Sequence, residues 1–206
     1  MTDRVVVIGS GSAEARPDLM VAATEAESTA SDVASALAGA QAAVAAMAGA
    51  ARARGTADVD VRTSEVTVST NYGKDGPEGF RAAIGLGLTL RDLDAAGAVL
   101  ADVVAAGGDA SRVRQVSLTV ADPGEALDAA REAAFADARH QAERLAALAG
   151  RTLGPVQRVE PQQSFVPFAR AASLGGRQAG EKSLTVPVEP GSTALTVTLQ
   201  VRFALT

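Results

Sequence analysis

Read for the alternation of apolar and polar side chains, the chain divides into runs of period two and runs of period near 3.6. At its start Val5, Val7 and Gly9 face one way and Val6, Ile8 and Ser10 the other, a strand apolar on both faces. After "EARPD", residues 19–25 alternate well enough for a second strand, with Pro17 suited to its first position. Ser31 then reads as a helix N-cap with Asp32 in the first turn. Val33, Leu37, Val44 and Met47 make one stripe of a long helix that ends near Gly55 and is otherwise mostly alanine.

"ADVDVRTSEVTVSTNY" alternates in two phases, Val59, Val61, Thr63 and then Val66, Val68, Thr70. The slip at Ser64 and Glu65 predicts a β-bulge. "NYGKDGPEG" is a turn cluster, and Phe80, Ala82, Ile84, Leu86, Leu88 and Leu90 then form a clean period-two run, so the two strands predict an antiparallel hairpin. Leu93, Val99, Leu100, Val103 and Val104 mark a second helix, opened at Asp92 and stopped by Gly107 and Gly108. A strand with Val116, Leu118 and Val120 on one face follows. "DPGE" gives Asp122 as N-cap, Pro123 at the first helical position and Glu125 three residues after the cap, a capping-box variant. The third helix runs to Gly150, with Leu127, Ala134, Ala138, Ala142, Leu145 and Ala149 on its expected buried side. "LGPVQRVE" begins another strand, residues 161–182 form a polar loop, and "SLTVPVEPGS" leads into the unbroken alternation of "ALTVTLQVRFAL". The predicted order is β-β-α-β-β-α-β-α-β-β-β. It implies an α+β fold in a single domain over 1–206, a largely antiparallel sheet packed with about three helices and a flexible loop at 161–182.

Composition narrows the chemistry. The 206 residues are 47% hydrophobic but only 3% aromatic, so the core is built of Ala, Val and Leu. A net charge of −5, a pI near 5.0 and no clustered basic face argue against nucleic acid as a partner. Without cysteine there is no disulfide, thiol catalysis or cysteine zinc site. The start, "MTDRVVVIGS", lacks the pattern of a secretory signal. The most apolar long window, residues 38–51, falls short of the roughly 20 residues that span a bilayer. The expectation is a cytoplasmic protein with no membrane span.

"VVVIGSGSAEARPD" invites comparison with a dinucleotide-binding turn, which needs a third glycine on a helix that starts at the loop. Here the register gives Gly9, Gly11 and Glu14, with Pro17 and an alternating strand after them, so the glycines read as structural. No Gly-Lys-Ser/Thr occurs.

Taken in order, "VVVIGSGSAEARPD", "RTSEVTVSTNY", "AAIGLGLTLRDLDAAGAVL", "AREAAFADARHQAERLAALAG" with "LGPV" after it, and "VPVEPGSTALTVTLQVRFAL" resemble the SIMPL domain, a domain of unknown function also called DUF541. The resemblance spans nearly the whole chain. It implies a bacterial protein whose relatives are often exported, in some cases linked to oxidative stress, and in some described as assembling into rings or channels. It carries over no catalytic residues, and the absence of an export signal departs from many members.

Weighed singly, the candidate residues are few. His140 is the only histidine, flanked by Asp137, Arg139, Glu143 and Arg144, with Asp137 placed to accept a hydrogen bond from it. Asp58 and Asp60 fall on one face of a strand start, where paired carboxylates do acid–base work or bind a hard cation. Phe165 and Phe168 put aromatics into the polar loop and are the expected interaction residues. The last strand, if at an edge, would invite pairing with another chain. The leading expectation is a non-enzymatic, self-associating domain, a homo-oligomer with a stress-tolerance or assembly-scaffold role, with no catalytic, metal or cofactor residues. The alternative is a small-ligand or peptide module with residues 161–182 as its lid. An enzyme centred on Asp58, Asp60 or His140 comes third.

Overall fold

In this computed structural model the described residues are 3–74, 76–162 and 191–206. They run β1 (Arg4–Ala15), β2 (Leu19–Ala30), α1 (Val33–Ala53), a 3-10 turn (Asp58–Asp60), β3 (Val61–Gly73) and β4 (Gly76–Leu90). There follow α2 (Leu93–Gly107), β5 (Ser111–Thr119), α3 (Gly124–Leu148), β6 (Leu153–Gln162) and β7 (Thr193–Leu205). Three helices and two antiparallel sheets make the α+β fold that the alternation predicts. The strand expected in "SLTVPVEPGS" and the 161–182 loop beyond Gln162 lie outside the described residues. The elements belong to two compact units, one holding β1, α3, β6 and β7, the other β2 to β5 with α1 and α2.

The first unit is a three-stranded sheet in the order β1-β7-β6, so the final strand is central and its alternation is core, not edge. Leu199, Val201 and Phe203 of β7 and Val7 of β1 point to one face, where Ala134, Ala138 and Ala142 of α3 complete a buried cluster. The buried row of α3 is Ala130, Ala134, Ala138, Ala142 and Ala146, every fourth residue. The larger Leu145 expected there is exposed, as is Ala149. Alanine wins because the helix lies directly on the strand: a methyl at Gly9 would overlap the backbone of Ala134 and Ala138, and one at Gly11 that of Ala130 and Ala134. At the start of α3 Asp122 accepts from the Gly124 N–H at 3.0 Å, while Pro123 occupies the cap position itself, one residue later than the sequence suggests.

The second unit is a four-stranded sheet in the order β3-β4-β2-β5. The period-two run of β4 points Ala82, Ile84, Leu86, Leu88 and Leu90 to the helix side, all buried. The β3–β4 hairpin forms as predicted, and its register shifts between Thr63 and Val66, where the phase slip foretold a bulge. The turn is tighter than the nine-residue cluster suggests, because β3 runs on to Gly73 and β4 begins at Gly76. Met20, Met47, Leu88, Leu100 and Val103 are the large side chains sealed between sheet and helices. In α1 the buried row is Ala36, Ala40, Met47, Ala48 and Ala51, while Val33, expected inside, is exposed. Its N-cap is Asp32, not Ser31: the carboxylate accepts from the Ser35 N–H at 2.9 Å. That bond holds the Asp32 carboxyl below its ordinary value. With 21 residues α1 is longer than the window read from the sequence and, by length and composition alone, apolar enough to cross a membrane.

Candidate functional site

Asp58 and Asp60, read as neighbours on a strand, sit instead in a 3-10 turn before β3 and part company there. Asp58 is exposed and pairs with Arg52. Asp60 is buried and takes both forks of Arg91, Nε to Oδ2 at 2.8 Å and Nη2 to Oδ1 at 2.9 Å. The Arg91 guanidinium holds the Asp60 carboxyl below its ordinary value against the opposing effect of burial. A carboxylate so neutralised is a poor general base and a poor cation ligand, so the turn does structural work. Beside it an open cavity of about 210 Å³ is lined by Arg54, Thr56, Asp60, Arg91 and Asp92, among others. Asp92 caps α2 there, accepting from the N–H groups of Asp94 and Ala95.

His140 is exposed on α3. The Asp137 carboxylate expected beside it serves other donors, the Ser10 N–H on the outer side of β1 at 2.9 Å and the Gln141 amide at 2.8 Å. Asp137 thus closes part of the edge of β1 that β7 leaves open. Phe165 and Phe168 lie outside the described residues. Among the described residues no group of three His, Cys, Asp or Glu is placed to hold a metal.

Strand β3 exposes backbone and apolar side chains, a feature the residue-by-residue reading missed. Among the described residues β3 pairs with β4 alone, leaving its other edge bare. From Val66 to Gly73 the strand has no charge and no proline. Val66 is 56% exposed, Val68 43% and Tyr72 73%. Register puts Val66 opposite Ile84 and Val68 opposite Ala82, on the helix side of the sheet. The opposite edge, β5, differs. Its Arg114 forks onto Glu25 at 2.7 and 2.8 Å, and Arg112 lies 3.8 Å from Glu27. Its pairing with β2 is also interrupted by a register shift. Charge and irregularity guard β5 against a new strand, whereas β3 from Val66 to Asn71 carries neither.

The family described as SIMPL, a protein of unknown function (DUF541), matches residues 5–203. A protein of Escherichia coli strain K12 described as "Uncharacterized protein YggE" is 35% identical over 159 residues, 75% of this chain and 64% of its own length. The YggE of Shigella flexneri aligns with the same identity and coverage. That of Edwardsiella ictaluri (strain 93-146) is 32% identical over 189 residues, 86% of this chain and 78% of its own. The chain therefore spans 64% of the length of the first two of these relatives.

Proposed function

The chain belongs to the SIMPL family, and on that premise we propose that it is a non-enzymatic protein that works by self-association, copies joining through the bare edge of β3. The observation that carries the reading is the uncharged, half-exposed strip from Val66 to Gly73. A second β3 laid against it would satisfy the outward N–H and C=O groups and cover Val66, Val68 and Tyr72 together. The assembled form serves as a scaffold or in stress tolerance.

The test is absolute mass in solution by light scattering, for the intact protein and for Val66→Lys with Val68→Lys. Lysine on an edge strand opposes pairing, and both side chains it replaces are already exposed. A discrete oligomer that becomes a monomer in the variant, with cooperative unfolding kept, supports the reading. A monomeric wild type, or a variant of unchanged mass, overturns it.

The cavity beside Arg91 favours a second reading, a binding site for a small polar ligand. At about 210 Å³ it suits only a compact molecule. A thermal-shift screen should then find a stabilising compound whose effect disappears in Arg54→Ala. Silence across metabolite classes counts against it.

A further inference from the structure

The sheet of the first unit has a second face, opposite α3. Leu199, Val201 and Phe203 point to the helix, so Gln200 and Arg202 between them project from the other side. Register sets Arg202 between Val6 of β1 and Arg158 of β6. Arg158 has a carboxylate, Glu160 at 2.6 Å. Arg202 has no partner among the described residues, and its Nε is buried with no hydrogen bond. A buried N–H without an acceptor costs free energy, and two guanidiniums directly opposed across a strand pair add repulsion. Among the described residues nothing requires this arrangement, since an apolar residue at 202 would remove both costs.

We propose that Arg202 and Arg158 form a clamp for a carboxylate, presented by an acidic, partly apolar peptide segment of a partner protein. A fork of guanidinium N–H groups matches a carboxylate in two parallel bonds and offsets the repulsion between the two arginines; the outer N–H groups of Arg202 would make them, its buried Nε staying enclosed. The cleft, lined by Val6, Arg158, Glu160, Gln200 and Arg202, has no free volume to hold a small acid. A ligand here must draw affinity from the flat face around it, where Val6 and Ile8 stand exposed on β1. That selects an extended segment with an acidic side chain beside apolar ones.

The experiment uses the full chain and a fluorescein-labelled octapeptide alternating Glu with Val, read by anisotropy at low salt. Saturable binding is expected, weakened more than about tenfold by Arg202→Met, as loss of a charged hydrogen bond implies. Arg202→Lys, which keeps the charge and loses the fork, should also bind weakly. Without peptide, Arg202→Met should melt no lower than wild type, because the replaced cation had no partner. Equal binding of a Gln/Val peptide, equal binding by Arg202→Met, or no binding at all overturns the proposal. Displacement by free succinate as effective as by unlabelled peptide assigns the site to a small acid and overturns the peptide form. A fall in oligomer mass in Arg202→Met would give the face to a second copy and overturn it likewise.

Discussion

Single side chains decide how closely the layers approach. Gly9 and Gly11 resemble a phosphate-binding turn until their surroundings are considered: α3 lies so near β1 that no methyl fits at either. Gly11→Ala should therefore cost about 1–3 kcal/mol by overpacking, measured by denaturant unfolding. Gly49, exposed in mid-α1 with open space around it, is the control. There Ala should add about 0.5–1 kcal/mol, since only helix propensity changes. Asp60 makes a prediction of another kind. Its folded pKa is depressed by Arg91, so the pair's contribution is complete above the ordinary carboxylate pKa and is lost as pH falls through the folded value. Asp60→Asn should melt below wild type at neutral pH, and the two melting curves should converge on acidification toward pH values below 3.8. A gap that stays constant would mean the charge of Asp60 is not what matters.

At the scale of elements, alternation is the reliable signal and helix faces are not. Strands β4 and β7 are legible because one side of each is wholly apolar and the pleat leaves one way to bury it. Even the bulge in β3 shows in its slipped phase. In α3 the middle of the expected row, Ala134, Ala138 and Ala142, is buried, but Leu145 is misread as inside: the strand beneath is too close for it, and Ala130 and Ala146 extend the row instead. Val33, the first residue of α1, is likewise exposed. Caps shift by a residue because Ser31 and Asp32, or Asp122 and Pro123, offer neighbouring starts, and backbone geometry chooses between them. Asp92 has no such rival: it accepts from two backbone N–H groups of α2. Asp92→Ala should cost about 1 kcal/mol in thermal or denaturant unfolding; no change would show that α2 is held by packing alone.

At the scale of the molecule, the family is legible in the sequence and the candidate surfaces are not. Asp58 and Asp60 looked paired in a strand alternation that the 3-10 turn breaks, and His140 lost its expected carboxylate to the edge of β1. Which strand lies at an edge depends on pairing between residues far apart in sequence, so neither the bare flank of β3 nor the central place of β7 can be read from local pattern. The unpartnered Arg202 emerges only when β1, β7 and β6 are laid side by side. Self-association through β3 is tested most directly by amide hydrogen exchange, comparing peptides covering 61–73 and 111–119 at low and high protein concentration. The account predicts that exchange in 61–73 slows as concentration rises, while 111–119, the guarded edge of the same sheet, exchanges alike at both. Exchange in 61–73 independent of concentration, or an equal slowing at both edges, would contradict it.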